Sequence, residues 1–251
     1  MLEDPQPGGS REHTLIWARP ERAAKGPAPS RSRAQIAAAA VELADAEGLE
    51  AVSMRRVAAV LGIGAASLYR YLESKDELYD LMIDHVEGEG GPPPPVTGDW
   101  RADLADLAHK VRGSIHRHPW MASLATGRPT FGPSSLAWNE YGLAAIDGLG
   151  LSIDEMLMAN EILQAYVRGS AMSELAEQQA LQRAGLSREQ WMEAVGPYMM
   201  SVVQRGEHPH LARVVLDADT PHAEDRKDLV FNAGLARILD GLVPRTDPSS
   251  R

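Results

Sequence analysis

The stretch Val57–Leu78, VAAVLGIGAASLYRYLESKDEL, limits what this chain can be more than any other. A short apolar run (Val57, Ala58, Val60, Leu61) meets Gly62, Ile63 and Gly64 complete a turn, and a second short helix is expected from about Ala65. Two short helices joined by a glycine-containing turn form a helix-turn-helix, whose second helix can enter a DNA major groove. Ala58, Ile63 and Leu68 are spaced to close a small core between the two. Gly62 stands where a left-handed residue often ends a helix. Small residues at Gly64, Ala65 and Ala66 let the second helix begin close to a phosphate, within reach of its free N–H groups. Ser67, Tyr69, Arg70, Tyr71 and Lys75 then offer hydroxyls and charge suited to phosphates and base edges. The competing reading is a helical hairpin packed inside an unrelated domain. The aromatic and basic cluster directly after the turn favours DNA.

The net charge of −10 over 251 residues argues against a polyanionic partner until its distribution is considered. Between Arg11 and Arg33 the basic residues Arg11, Arg19, Arg22, Lys25, Arg31 and Arg33 face only Glu12 and Glu21. Acidic residues dominate from Asp76 onward. A basic arm and a near-neutral head on an acidic body orient a protein on DNA. The arm also reads as a merely soluble leader, and a Pro/Gly/Ser-rich segment can be disordered when free and ordered on DNA. Cysteine is absent, which rules out disulfides and thiolate metal sites and suits a reducing bacterial cytoplasm. No apolar run has the length of a membrane span, and the N-terminus lacks a secretory pattern, so a cytoplasmic protein without a membrane partner is expected.

The breakers and periodicity predict an all-α chain. Residues 1–30 are expected to be a flexible basic arm, with Leu15-Ile16-Trp17 as an apolar exception that either docks on the body or a partner subunit or is incidental. Residues 31–78 are expected to form the helix-turn-helix domain. Ser32 and Ser53 are its predicted N-caps, and Ile36, Ala40, Leu43 and Ala44 form the stripe of its first helix. Ser74 is expected to cap a fourth helix in a capping box with Glu77. Residues 79–242 are expected to form a helical body, reached through the extended linker Pro92–Pro95, and residues 243–251 a disordered tail. Body helices are predicted at 99–117, 120–125, 134–149, 152–183, 187–205 and 223–241, with a helical turn at Leu211–Leu216.

Two body helices carry a pattern suited to a partner. Ala165, Gly169 and Ser173 recur every four residues and give a small-residue face that allows close helix approach. Phe231, Leu235, Ile238 and Leu242 form a second stripe. Paired between two copies, these helices would build a four-helix interface, and the competing reading places both stripes in the chain's own core. A sensor also needs a mostly apolar pocket with a few polar groups. The candidates for lining one are His116, Trp120, Arg128, Phe131, Trp138, Asn139, Tyr141, Tyr166 and Met172. Trp138, Tyr141 and Tyr166 are favoured because an aromatic body with a polar tip suits the role.

The motifs Ile36–Leu43, Glu47-Gly48-Leu49, Ser53–Ala58, Leu61-Gly62-Ile63, Ser67–Tyr71 and Lys75–Leu78, at these separations, resemble the N-terminal domain of the TetR (tetracycline-repressor-like) family. Gly98-Asp99-Trp100, His118-Pro119-Trp120 and Gly127-Arg128-Pro129 resemble the subgroup with a tetracycline-repressor type C-terminal domain. The resemblance implies a homodimer on a near-palindromic double-stranded operator, released by a small-molecule inducer whose identity is unknown. The expected DNA contacts are Arg31, Arg33, Ser53, Arg55, Gly64, Ala65, Ala66, Ser67, Tyr69, Arg70, Tyr71 and Lys75.

The chain departs from the tetracycline repressor where Leu124–Gly127 precede Arg128-Pro129 without the histidine that helps hold the drug's magnesium. His85 sits about one and a half turns too early to replace the drug-contacting histidine of helix 4. Neither a metal nor another cofactor is expected, and the pairs His116/His118 and His208/His210, beside proline in expected loops, are weak ligand sets. No phosphate loop, nucleophile elbow or zinc-binding His-Glu motif supports an enzyme. A ligand-independent DNA-binding or protein-interaction module, and an activator in place of a repressor, stay as alternatives.

Overall fold

A computed structural model describes residues 14–21, 31–124 and 130–242. Among the described residues the regular structure is helical throughout. The described residues fall into two compact units, one made of 14–21, 31–92 and 130–138 and the other of 93–124 and 139–242. No helix of the described residues is long and apolar enough to cross a membrane.

The first unit is built on α1 (Arg33–Glu47), α2 (Met54–Val60), α3 (Ala65–Leu68) and α4 (Lys75–Glu87). Ser32 starts α1 with a reciprocal capping box. Its hydroxyl accepts the Gln35 N–H at 3.1 Å, and the Gln35 side chain accepts the Ser32 N–H at 3.0 Å. The predicted stripe Ile36, Ala40, Leu43 and Ala44 is buried, and α1 packs on α4, whose Leu78, Leu81, Met82 and Val86 are also buried. Ser74 caps α4 by accepting the Glu77 N–H at 3.2 Å, but the expected return bond is diverted. The Glu77 carboxylate accepts the Glu73 N–H at 2.7 Å and pairs with Arg19 instead. The unit extends beyond Leu78, taking in the whole of α4 and also the start of α7 (Pro133–Ile146). There the buried Asp84 carboxylate accepts the Ser134 and Ser135 N–H groups at 2.8 and 3.0 Å, a favourable place for an anion at a helix N-terminus. Gly132 lies so close to Asp84 that a Cβ there would collide with its carboxylate.

The second unit contains α5 (Trp100–Arg117), α6 (Met121–Leu124), the remainder of α7, α8 (Ile153–Ala184), α9 (Arg188–Arg205), α10 (Pro209–Asp217) and α11 (Arg226–Leu242). α10 is a full helix where the sequence suggested a turn. It begins at Pro209, which is pre-set for a first helical position. α7 stops at Ile146, before the predicted end, and Gly148 and Gly150 follow with φ of +83° and +79°. α11 starts at Arg226, later than predicted, because Thr220–His222 forms a separate 3-10 turn.

α5 and α8 form the spine of this unit, with Ile115, Ala171 and Leu175 packed between them. Beside this apolar contact sits a buried ionic network. The Glu174 carboxylate accepts from Arg112 Nε at 3.1 Å, from the Ser170 hydroxyl at 3.1 Å, and lies 2.7 Å from His116 Nε2. Arg112 also pairs with Asp228 at 2.6 Å and lies over the Phe231 ring at 4.5 Å. Burial opposes the charge of Arg112, and the hydrogen bonds to Asp228 and Glu174 outweigh it, so its pKa is raised. Removing one member of a buried network strands its partners, whereas an exposed pair contributes little. Glu174→Ala is therefore expected to destabilise the protein by about 3 kcal/mol in denaturant unfolding. Glu177→Ala, at a more exposed pair with Arg188 and Arg226, is expected to cost under about 1 kcal/mol.

Candidate nucleic-acid interface

α3 spans only Ala65–Leu68, and a single turn of helix does not sustain itself in water. Its surroundings fix it. The chain leaves α2 through a closed C-cap in which the Ile63 N–H donates to the Ala58 carbonyl at 2.9 Å and the Gly62 N–H to the Ala59 carbonyl at 3.1 Å. Gly62 adopts φ +68°, the left-handed position this motif requires. Ala58 and Leu68 are buried as expected, and Ile63 is half-buried. Gly64 serves as the N-cap of α3, and its carbonyl accepts the Ser67 N–H at 2.8 Å.

The expected DNA contacts separate into two groups. Tyr69 is 55% exposed, and Arg70, Ala66, Gly64, Arg55 and Lys75 are exposed with it, while Ala65 and Ser67 are half-buried. Lys75 Nζ lies 5.1 Å from the centre of the Tyr79 ring. Ser53 caps α2, its hydroxyl accepting the Arg56 N–H at 3.3 Å. The second group, Tyr71, Arg31 and Arg33, makes its hydrogen bonds within the domain. Tyr71 is only 8% exposed, and its hydroxyl accepts the Arg31 N–H at 3.3 Å. The Arg31 guanidinium donates to the Leu61 carbonyl at 2.8 and 3.3 Å, because the end of α2 leaves that acceptor open. Arg33 Nη1 donates to the carbonyls of Ile16 and Arg19 at 2.8 and 2.9 Å.

Those last bonds reveal a feature that the sequence left undecided. Thr14–Glu21 is a strap docked on this domain, with Ile16 only 1% exposed at the start of a 3-10 turn, Ile16–Ala18. Glu21 accepts the Arg33 N–H at 2.5 Å, and Arg19 pairs with Glu73 and Glu77. The apolar triplet Leu15-Ile16-Trp17 was the available signal. Arg11 lies outside the described residues.

The ligand candidates lie in both units. Phe131 is exposed in the first, where Trp138 Nε1 also donates to the Glu87 carbonyl at 3.0 Å. In the second, the buried Tyr141 donates to Asp103 at 3.2 Å, and Tyr166 donates to the Phe231 carbonyl at 2.8 Å while stacking on its ring. Burial first, then the nearby Asp103 carboxylate, raises the Tyr141 pKa. His116 belongs to the Glu174 network, Trp120 is buried against His118, and Met172 is half-buried. The Asn139 side chain accepts from Asn160 at 3.2 Å. Arg128 lies outside the described residues. Asp84, Asp103 and Glu174 were missed, since a buried carboxylate in an otherwise amphipathic helix looks like any surface acid.

The two expected interface stripes also separate. Ala165, Gly169 and Ser173 are exposed along one face of α8, with Met158 and Ile162 exposed further along the helix. Phe231 and Leu235 are buried in the chain's own core, and Ile238 and Leu242 are half-buried. The large apolar residues that α11 leaves exposed are Leu229 and Val230.

Residues 36–82 match the family described as bacterial regulatory proteins, tetR family, and residues 92–245 match the tetracyclin repressor-like C-terminal domain. The chain is 39% identical over 234 residues to the HTH-type transcriptional repressor DrrR1 of Streptomyces coeruleorubidus, covering 93% of this chain and 85% of that one. It is 25% identical over 211 residues to the class A tetracycline repressor of transposon 1721 from Escherichia coli, covering 82% and 88%. Among solved structures it is similar to apo ActR of Streptomyces coelicolor, with a TM-score of 0.68 at 26% identity over 85% of this chain and 97% of that one. ActR in complex with actinorhodin aligns with a TM-score of 0.67 at 26% identity, covering 85% and 95%. The exposed and inward groups make a direct test. Tyr69→Ala and Arg70→Ala are each expected to lower DNA affinity by about 1–3 kcal/mol without changing the melting temperature. Tyr71→Phe is expected to lower stability by about 1 kcal/mol.

Proposed function

The chain belongs to the tetR family of bacterial regulatory proteins, DNA-binding regulators of transcription, and we propose that it acts in the cytoplasm as a homodimeric repressor released from its operator by a small organic ligand. The observation that carries this reading is the outward presentation of Tyr69 and Arg70 over a fully buried Leu68. That arrangement leaves hydroxyl and guanidinium groups free for phosphates and base edges while the domain beneath them stays fixed. One such domain reads few bases, and two copies related by a two-fold axis read a near-palindromic site with half-sites one DNA turn apart.

The exposed small-residue face of α8 at Ala165, Gly169 and Ser173 supports pairing through that helix. Ile162 and Met158 add apolar surface of a kind that monomers seldom leave open. The repressor assignment is supported by the likeness to DrrR1, and the ligand response by ActR, which was solved with actinorhodin and with (S)-DNPA. The polar-tipped aromatics Tyr141 and Tyr166 in the second unit suit a ligand of mixed aromatic and polar character. Release requires a ligand that favours one arrangement of the two DNA-binding domains over the other.

Two properties test this reading together. The purified chain is expected to sediment as a dimer and to shift DNA from upstream of its own coding region, with an affinity that falls steeply as salt rises. A compound screen against that shift, with actinorhodin as the first probe, is expected to return a releasing ligand. Gly169→Leu is expected to yield monomers that no longer shift the operator. A dimer of unchanged stability would remove that face of α8 from the interface, and DNA binding that no compound relieves would leave a ligand-independent module.

A further inference from the structure

The docked strap does more than cover apolar surface, because it is fastened to three places in the first unit. At the start of α1, Arg33 Nη1 donates to the strap carbonyls of Ile16 and Arg19 at 2.8 and 2.9 Å, and the strap's Glu21 in turn accepts the Arg33 N–H at 2.5 Å. That N–H belongs to the first helical residue, whose donor a helix cannot pair internally. Arg19 supplies the other two attachments. One of its terminal nitrogens pairs with Glu73, in the joint between the recognition segment and α4, and the other with Glu77, in the first turn of α4, at 2.5 Å. The Glu73 side chain is 72% exposed, whereas those of Arg19 and Glu77 are 20% and 13% exposed, so the bond to Glu77 is the sheltered and more consequential one. These contacts alter the joint itself. In a reciprocal capping box the Glu77 carboxylate would bond back to the N–H of Ser74, the residue that caps α4. Here it accepts the Glu73 N–H at 2.7 Å instead, beside a residue whose own carboxylate shares the same guanidinium. Two carboxylates gathered on one guanidinium repel each other once the cation is removed.

We propose that the strap is a brace that sets the joint between the recognition segment and α4, and that Arg19 is a positioning residue for operator binding. It acts through Glu73 and Glu77 without touching DNA. Without its charge, Glu77 is released to the Ser74 N–H and the joint relaxes to the ordinary capping box. Glu73 directly follows the buried pair Tyr71 and Leu72, so a change in the joint is carried into the segment that presents Tyr69 and Arg70. The strap lies outside residues 36–82 and 92–245, the stretches that match the family, so the family likeness does not supply this element. The inference rests on the DNA-reading assignment above. A brace has its own signature, because the salt dependence of binding counts the phosphates neutralised and Arg19 in this role contributes none.

The test uses the full chain with two variants, each studied well below its melting temperature. Arg19→Gln removes the cation, and Ile16→Ser undocks the strap while keeping every charge. Both are expected to bind a duplex selected from random sequence about fivefold more weakly than the unaltered chain, with the slope of log affinity against log salt unchanged. In the free protein the amide resonances of Tyr69, Arg70, Glu73 and Ser74 are expected to move in both variants, as the Glu77 carboxylate leaves the Glu73 N–H for that of Ser74. A slope smaller by about 0.9 in Arg19→Gln would mean that Arg19 touches a phosphate, and would overturn the positioning role. A lower melting temperature with unchanged affinity and these four amides unmoved would mean that the strap only covers apolar surface. That result would overturn the proposal and leave the DNA-reading assignment standing. If the unaltered chain selects no duplex, the DNA-reading assignment fails, and the four amides of the free protein decide the brace alone.

Discussion

A helix of one turn has almost no hydrogen bonds of its own, so its position belongs to whatever grips its two ends. In this protein the grip on α3 begins at the end of α2, where Gly62 in the left-handed region lets Ile63 bond back to Ala58. It continues under the helix through Leu68 and beyond it through Tyr71 and Leu72, all buried. Arg31 closes the arrangement from the other side. Its guanidinium takes the Leu61 carbonyl and its N–H takes the Tyr71 hydroxyl, so one residue ahead of α1 ties the start of the domain to both flanks of the turn. The outward direction of Tyr69 and Arg70 follows from these inward contacts.

The second unit depends on a different kind of constraint. Glu174 and Arg112 are charged groups largely removed from water, which is tolerable only while each retains its partners. Their pairing links α5 to α8, and through Asp228 and Phe231 it reaches α11. An apolar contact such as Ile115 against Ala171 and Leu175 tolerates small slippage. A network of fixed donors and acceptors does not. At the start of α7, Asp84 does similar work in the first unit, satisfying two N–H groups that the helix cannot pair internally.

Much of this was legible in the sequence because it rests on local rules. Gly62, Ser32, Ser53 and Ser74 announced their turns and caps, and the stripe from Ile36 to Ala44 announced the buried face of α1. What the sequence left unspecified has one cause. A stripe shows that a face is apolar but not what covers it, so Phe231 and Leu235 read as a partner surface although α11 turns them into its own core. Likewise a charge shows affinity for an opposite charge or a carbonyl, and Arg31 and Arg33 found theirs inside the domain. Contacts between distant segments have no local signature. The strap pairing of Arg19 with Glu73 and Glu77, and the Asp84 hold on Ser134 and Ser135, are of that kind.

The central claim is that DNA is read by the short segment after the turn, on a domain that does not change shape to do so. Backbone amide resonances recorded with and without a duplex selected from random sequence test this most directly. The account predicts that the large shifts fall between Gly64 and Arg70 and on neighbouring exposed residues, while Leu68, Tyr71 and the α1 core keep their slow hydrogen exchange. Shifts concentrated elsewhere, with the Gly64–Arg70 amides unmoved, would contradict it.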